Sequence, residues 1–286
     1  MRNIPEIKFN NRRVEHINGF ELKVLEEFIS NLKKPTDHDP FQAHRLSFNI
    51  ILIITDGMVR HSVDFETHDL QEGDVMVISK GQIHAFDVHS RYKGYMMLFT
   101  EEFMQKYIAS STIAQINHLY NYFLGQKKIN NPDHNQTLIR SLKKELQRNS
   151  STLPNVIGAL LSIYLLKMND ENDRSSNFIV NKYLDCFNHF KLLVEKNFSK
   201  SRDAKTYAAE MSVSYKFLNQ VCKEIVKTTA KAFIDSYVIL EAKRILVTTS
   251  LSVKETAYAL GFDEPTNFLK YFKKHTSCTP AGFRKL

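Results

Sequence analysis

The stretch "ETAYALGFDEPTNFLKYFKK", residues 255–274, has the pattern of two short helices that break at Gly261. The buried stripe of the first helix consists of Val253, Thr256, Ala257 and Leu260. The small alanine lets the second helix cross close to it. Glycine adopts the left-handed conformation that ends a helix at low steric cost. The second helix has an aromatic stripe that anchors it to a core: Phe268, Tyr271 and Phe272. The stretch therefore predicts a helix-turn-helix.

The other face of the second helix is polar and cationic. Pro265 suits its first turn, where the missing N–H leaves no helical hydrogen bond unmade. The polar face consists of Thr266, Asn267, Lys270, Lys273 and Lys274. Because this face is not needed for packing, it is available to enter a groove of nucleic acid.

A similar pair of helices is predicted about 50 residues earlier, in "DAKTYAAEMSVSYKFLNQVCKEIVK", residues 203–227. The break lies at Ser212 to Ser214, and Ser214 is a suitable N-cap for the second helix. The buried face of that helix consists of Leu218, Val221, Cys222 and Ile225. Its other face consists of Lys216, Asn219, Gln220, Lys223 and Lys227. Residues 231–250 predict a long helix that joins the two helix-turn-helix units.

The charge of the chain is concentrated at one end. Residues 1–180 contain 21 Lys and Arg and 21 Asp and Glu, whereas residues 181–286 contain 18 and 10, so the whole net charge of +8 lies in the last third. Lys and Arg that neutralise phosphates drive affinity for nucleic acids. A neutral first part and a basic last part thus indicate that only the last part binds a polyanion.

Length and composition favour a cytoplasmic protein of two domains. The chain has 286 residues, of which 43% are hydrophobic, and its start lacks the apolar region of a secretory signal. The apolar run at residues 156–166 is too short to span a bilayer, so no membrane partner is expected. Cys186, Cys222 and Cys278 are far apart and form no CxxC pair, so neither a disulfide framework nor a zinc site is indicated.

The first part of the chain changes from strands to helices. Residues 44–100 alternate short β-rich runs with breaks at Asp56-Gly57, Glu72-Gly73-Asp74 and Lys80-Gly81, which is typical of a small barrel or sandwich. Residues 101–167 have a helical pattern with an apolar stripe at Leu138, Leu142, Leu146, Leu161, Leu165 and Met168. This stripe either pairs two subunits or packs on the protein's own strands. The polar run at 168–177 is typical of a linker.

Residues 239–284, "ILEAKRILVTTSLSVKETAYALGFDEPTNFLKYFKKHTSCTPAGFR", resemble the C-terminal signature of the AraC/XylS transcription regulators. The resemblance extends over residues 187–286 and implies seven helices with two helix-turn-helix units that enter adjacent major-groove segments. Three positions depart from the pattern: Ser277-Cys278 replaces a glycine, Ser212 stands at a turn position often held by glycine, and Val238 replaces an arginine.

The resemblance also implies which side chains contact DNA. Positions that read bases fall on Lys216, Asn219, Gln220, Glu264, Thr266, Asn267 and Lys270. Positions that contact phosphates fall on Ser214, Lys223, Lys227, Lys273 and Lys274. Asn and Gln can pair with adenine and Lys with guanine, whereas phosphate contacts position the protein without reading sequence. The alternative interpretation for each of these side chains is that it is solvated on the surface and contacts no DNA.

The stretch "LQEGDVMVISKGQIHAF", residues 70–86, is similar to the cupin-like sensor of the same family. The likeness implies a barrel that holds a small-molecule effector, with Arg45, His61 and His84 as candidate contacts. A cupin enzyme is the competing interpretation, but Val63 stands where a second metal-binding histidine is needed, and only His61, Glu66 and His84 remain. No catalytic motif is present, so we expect no enzyme, metal or cofactor.

Together these patterns predict an α+β protein with a cupin-like sensor or dimerisation domain at 1–170, a linker at 171–177 and a DNA-binding domain at 178–286. Within the first domain, the barrel is predicted at about 40–100 and the helices at about 101–168. We expect a sequence-specific transcription regulator, with double-stranded DNA, RNA polymerase, an effector and a second copy of the chain as partners. An architectural DNA-binding protein with weak sequence preference remains the alternative.

Overall fold

A computed structural model describes residues 6–9, 17–31, 39–116, 119, 129–148, 150–172 and 178–285. The chain divides into two compact units, Pro5–Ser175 and one that contains Ser176–Leu286. Helix α5 (Leu153–Asn172) extends into the polar run at 168–177 as far as Asn172, and the next helix, α6 (Phe178–Asn197), begins after that run.

The described residues of the first unit form mainly strands and then mainly helices, with one short helix among the strands and one short strand among the helices. The strands are β1 (Glu6–Ile7), β2 (Phe20–Val24), β3 (His44–Leu46), β4 (Asn49–Asp56), β5 (Met58–Val63), β6 (Glu66–Gln71), β7 (Asp74–Ile78), β8 (Ile83–Phe86), β9 (Lys93–Phe99) and β10 (Ile129–Asn130). The helices are α1 (Leu25–Asn31), α2 (Glu101–Tyr107), α3 (Ser110–Ile116), α4 (Pro132–Leu146) and α5 (Leu153–Asn172). The breaks predicted at Gly57, Gly73 and Gly81 all separate strands.

These strands form two five-stranded sheets, with the orders β1-β3-β8-β5-β6 and β10-β7-β4-β9-β2. All neighbouring strands pair antiparallel except β1 and β3. The mixed fold class is confirmed, but among the described strands no ladder joins the two sheets into a closed barrel. The strands β3, β5 and β8 lie side by side, which brings His44, His61 and His84 into one sheet.

Strand β4 is buried on both faces, because the second sheet lies between two apolar cores. Ile50, Leu52 and Ile54 contribute to a core that also contains residues of the first sheet, among them Val59 and Phe86. Residues that alternate with them, such as Ile51 and Ile53, belong to a second core shared with helices α2 to α5. A continuous apolar run is what a strand covered on both faces requires.

The apolar stripe of α4 and α5 belongs to this second core. Leu142, Leu161 and Leu165 are fully buried, and Leu138 and Met168 nearly so. The two helices therefore use the predicted stripe to pack on their own sheet, and these side chains are not available to pair subunits. A different face of α5 remains exposed, with Ile163 54% accessible.

The described residues of the second unit are helical throughout. Its helices are α6 (Phe178–Asn197), α7 (Ala204–Glu210), α8 (Tyr215–Val226), α9 (Ala230–Thr248), α10 (Val253–Ala259), α11 (Pro265–Thr276) and α12 (Pro280–Phe283). The long helix predicted at 231–250 is α9. It has buried apolar and aromatic side chains around much of its circumference, as a helix in the middle of a domain does.

Candidate nucleic-acid interface

The first helix-turn-helix consists of α7 and α8. Asp203 caps α7 by accepting a hydrogen bond from the Lys205 N–H at 3.0 Å, and Ser214 caps α8 by accepting one from Phe217 N–H at 3.1 Å. Ser212 takes the left-handed conformation, with φ of 55°, in the turn between the helices. Leu218, Val221 and Cys222 are fully buried, so α8 packs on the face that the sequence predicts.

The second helix-turn-helix consists of α10 and α11. Ser252 and Glu255 form a capping box at the start of α10, which satisfies two backbone N–H groups. The turn passes through Gly261, whose φ is +77°. Helix α11 begins at Pro265 and is anchored by Phe268 and Phe272, both fully buried.

Both second helices present their predicted DNA-contacting side chains away from the core. On α11 and at its N-cap, the exposed residues are Glu264, Thr266, Asn267, Lys270, Lys273 and Lys274. On α8 and at its ends, they are Ser214, Lys216, Gln220, Lys223 and Lys227, with Asn219 half-buried. The last turn of α11 adds His275 to Lys273 and Lys274. The two faces are thus positively charged and rich in hydrogen-bond donors.

Some of these side chains already have a structural partner. Asn219 accepts a hydrogen bond from the Ala230 N–H at 3.0 Å through Oδ1, which satisfies a backbone donor at the start of α9. Gln220 donates through Nε2 to the Tyr183 hydroxyl of α6 at 2.9 Å. Lys227 donates to the Glu224 carbonyl at 2.8 Å. These residues would have to use their remaining donors, or exchange partners, to contact DNA.

Four other side chains keep their full hydrogen-bonding capacity. Within the part of the chain that the structure describes, Lys216, Thr266, Asn267 and Lys270 make no side-chain hydrogen bond or ion pair. Each is exposed, and three of them lie in the first two turns of α11. Side chains that reach the surface without internal partners suit base edges, because contacting DNA breaks no interaction of the folded protein.

Three histidines of the first unit, on β3, β5 and β8, form a buried cluster. His61 is fully buried, and its ring nitrogens lie 3.1 Å from His84 Nδ1 and 3.3 Å from the Tyr92 hydroxyl. The ring of His44 stacks edge-on against that of His84, with 4.2 Å between centroids. Burial lowers the pKa of His61 from 6.5 to about 3, and the neighbouring charges of His44 and His68 act in the same direction. His61 is therefore neutral across the physiological range.

The histidine cluster does not include every candidate ligand contact. Arg45 lies between His44 and Leu46 on β3, and its half-exposed side chain points to the opposite sheet face from those two buried neighbours. The structure therefore brings His61 and His84 together but does not bring Arg45 to them. In the described ranges, no three His, Cys, Asp or Glu side chains are placed to hold a metal ion.

An open cleft lies on the other side of the second sheet, beside α4. Its volume is about 550 Å³, which falls within the range of small-molecule sites. Its lining combines apolar, polar and charged side chains. The lining residues are Ile54, Thr55, Glu72, Gly73, Tyr95, Pro132, Asp133, Asn135, Gln136, Ile139, Arg140 and Lys143. Arg45, His61 and His84 are not among them.

Two family models match the chain. One, described as an AraC-like ligand binding domain, covers residues 34–181, and the other, described as a helix-turn-helix domain, covers residues 207–286. The chain belongs to the AraC family. It is thus a transcription regulator with an N-terminal ligand-binding domain and a DNA-binding helix-turn-helix part. None of the described helices is long and apolar enough to cross a membrane.

Of two curated relatives of this AraC-family regulator, one covers most of its length and the other about a third of it. The HTH-type transcriptional activator RhaR of Mannheimia succiniciproducens is 22% identical over 265 residues, which cover 91% of this chain and 93% of that protein. An uncharacterized HTH-type transcriptional regulator in the cgkA 5' region of Pseudoalteromonas carrageenovora is 33% identical over 94 residues, or 33% of this chain and 55% of that protein. The solved structure of unsaturated fatty acid bound ToxT from Vibrio cholerae is 15% identical, with 94% and 96% of the two chains covered and a TM-score of 0.46.

Long-range contacts with α9 complete the AraC-family DNA-binding part, and no sequence pattern predicts them. The Tyr271 hydroxyl donates to Asp235 Oδ1 of α9 at 2.7 Å, and Asp235 also forms an ion pair with Lys231. Burial raises the pKa of Tyr271, and its hydrogen bond to Asp235 raises it further. Arg284 donates to the Leu246 carbonyl at 3.0 Å near the end of α9. Such pairs join residues more than 30 positions apart, which no local pattern reveals.

Proposed function

We propose that this AraC-family regulator recognises a specific double-stranded DNA sequence, with α8 and α11 as its two recognition helices. The observation that supports this most strongly is that α11 exposes a hydroxyl, an amide and an ammonium group with no partner among the described residues, from Thr266, Asn267 and Lys270. The proposed base-reading residues are Lys216, Asn219, Gln220, Glu264, Thr266, Asn267 and Lys270. The proposed phosphate contacts are Ser214, Lys223, Lys227, Lys273 and Lys274.

The internal hydrogen bonds of these side chains suggest which of the proposed residues contribute most to base recognition. Asn267 and Lys270 can offer a bidentate amide to adenine or an ammonium to guanine without losing an internal contact, and each good pair discriminates between bases by about 1–3 kcal/mol. Asn219 and Gln220 have partners within the protein, so we expect smaller effects from their substitution. Glu264 accepts but does not donate at neutral pH, so it can read only a base donor such as cytosine N4.

Selection from random duplexes by the full-length protein, at a stated moderate salt concentration, tests this function. We expect enrichment of two sequence blocks about one helical turn apart, at about 34–36 Å. Salt-sensitive binding without an enriched motif would favour the architectural alternative, because phosphate contacts alone carry no sequence information.

A second copy of the chain is the proposed partner of the first unit, through the exposed face of α5. Ala159 and Ile163 are exposed one turn apart, and Val156 and Leu160 are half-buried beside them. An apolar face of this kind is stabilised when another apolar surface covers it. Sedimentation analysis should show Ile163→Asp as a monomer at concentrations where wild type is a dimer. Thr137→Asp, an exposed change on α4, serves as the control and should remain dimeric.

The effector of this regulator is proposed to bind the cleft beside α4 rather than the histidine cluster. The cleft is open, whereas His61 and His84 are 0% and 2% accessible. Gln136→Trp should fill the cleft and abolish small-molecule copurification in native mass spectrometry, and Thr137→Trp should not. If Gln136→Trp still copurifies with a small molecule, the cleft is not the effector site, and the histidine cluster inside the sheets becomes the candidate.

The proposed regulator acts at promoters in the bacterial cytoplasm, where it recruits RNA polymerase and catalyses no reaction of its own. Transcription in vitro from a promoter that carries the selected site tests this part. We expect purified protein to change the yield of transcript from that template and not from one with the site scrambled.

A further inference from the structure

The loop between α6 and α7 contacts the turn of the second helix-turn-helix through one arginine. The Arg202 guanidinium donates to the Leu260 carbonyl at 3.0 Å and to the Gly261 carbonyl at 3.1 Å. Its central carbon lies 3.9 Å above the centroid of the Phe262 ring. Both carbonyls belong to the C-terminal end of α10, where backbone acceptors lack helical partners and a cation is favoured.

The same loop is fixed to the first helix-turn-helix. The Tyr207 hydroxyl of α7 donates to the Ser201 carbonyl at 2.8 Å, and the Asp203 N–H donates to the Ser201 hydroxyl at 3.2 Å. Asp203 is also the N-cap of α7. The loop therefore connects α7 directly with the turn that precedes α11.

The backbone of the turn lies against this loop with no space between them. A Cβ atom added to Gly261 would lie 1.7 Å from the Ser199 carbonyl oxygen. The contact is thus backbone against backbone at Gly261, with the Arg202 side chain beside it on the same turn. Two adjoining contacts of different kinds determine a relative position much more narrowly than either contact alone.

We infer that Arg202 is a positioning residue that sets the spacing at which the two recognition helices meet DNA. A planar guanidinium that donates to two consecutive carbonyls and stacks on a ring determines an orientation, which a lysine ammonium does not. Without it, α10 and α11 keep their contacts with α9 and the backbone contact between Gly261 and Ser199, but they lose the hydrogen bonds that orient the turn on the loop beside α7. This inference rests on the proposed function, because spacing matters only if both helices read DNA.

The test measures affinity for matched and altered spacings at one salt concentration. Wild type, Arg202→Met and Arg202→Lys are titrated against the selected two-block duplex, the same duplex with one base pair inserted between the blocks, and a duplex with only one block. Lys200→Met, an exposed change of the same charge in the same loop, is the control. Thermal unfolding of each variant shows whether it is folded at the assay temperature.

We expect Arg202→Met to bind the matched duplex roughly tenfold more weakly, as the loss of charge-assisted hydrogen bonds implies. Its affinity for the one-block duplex should equal that of wild type. Its discrimination between matched and inserted spacing should therefore fall, with Arg202→Lys showing a similar loss and Lys200→Met none. Loss of stability alone would lower all three affinities together and leave the discrimination ratio unchanged.

Two results would contradict the inference, and they can be distinguished from each other. If wild type discriminates between spacings and both Arg202 variants keep its ratio, Arg202 has no positioning role and α9 alone sets the geometry. If wild type itself binds the matched and inserted duplexes equally, the two-helix reader proposed above is wrong, and the inference that depends on it is overturned as well.

Discussion

Substitution of Gly261 by alanine should destabilise the DNA-binding part strongly, for two separable reasons. The left-handed conformation at φ of +77° costs an alanine roughly 1–2 kcal/mol. The added Cβ would also lie 1.7 Å from the Ser199 carbonyl oxygen, so the turn must move by more than an ångström. That movement breaks at least one Arg202 hydrogen bond to the turn, at a further cost of about 1.5–3 kcal/mol. We expect a total loss of about 2.5–5 kcal/mol in the free energy of unfolding.

Gly57→Ala provides a matched control. Gly57 has a similar φ of +79°, but nothing lies within 4 Å of the position where its Cβ would be. This variant should cost only the conformational part, roughly 1–2 kcal/mol. Urea unfolding followed by far-UV circular dichroism gives both values, with a separate transition fitted for each compact unit. Equal losses for the two variants would refute the close contact between the Gly261 turn and the Ser199 loop.

The left-handed serines and the buried histidine give two further predictions. Ser212→Gly and Ser277→Gly remove a Cβ from residues whose φ values are 55° and 61°. Each should therefore raise the free energy of unfolding by about 1 kcal/mol, as measured by urea titration. A decrease would show that the serine side chains stabilise these turns. His61 has a folded-state pKa of about 3 and an ordinary value of 6.5, so between these values only the unfolded chain binds its proton. The stability of the first unit should be complete above pH 6.5 and decline toward pH 3, by about 1.4 kcal/mol per pH unit. The pH profile of His61→Gln should be flatter than that of wild type, and identical profiles would contradict the assignment.

The helix-turn-helix units could be predicted from sequence because their signals are local. Glycine at the turn, small residues before it and aromatic residues after it are all contained in residues 255–274, and each determines the backbone of its own neighbourhood. Even at two of the three departures from the family pattern, Ser212 and Ser277, the chain adopts the left-handed conformation that glycine would have taken. The packing of these turns therefore imposes the conformation on serine.

Features that depend on long-range packing were not predictable in the same way. Strand alternation puts adjacent residues on opposite faces, so Arg45 and His44 point apart although they are neighbours in sequence. The apolar stripe of α4 and α5 suits a subunit interface as well as a core, and only the position of the second sheet decides between them. The contact between Arg202 and the Gly261 turn joins residues 59 positions apart, and an arginine in a polar loop shows no pattern.

The most direct test of the central claim is to repeat the duplex selection with substituted recognition helices. If α8 and α11 read separate blocks, Lys216→Ala should relax the base preference in one block only, and Asn267→Ala should relax it in the other. Lys273→Ala should leave both blocks unchanged, while it lowers affinity for all sequences and reduces the salt dependence by about one phosphate contact. If Lys216→Ala and Asn267→Ala alter the same block, or weaken all sequences alike, the two-helix reading mechanism is contradicted.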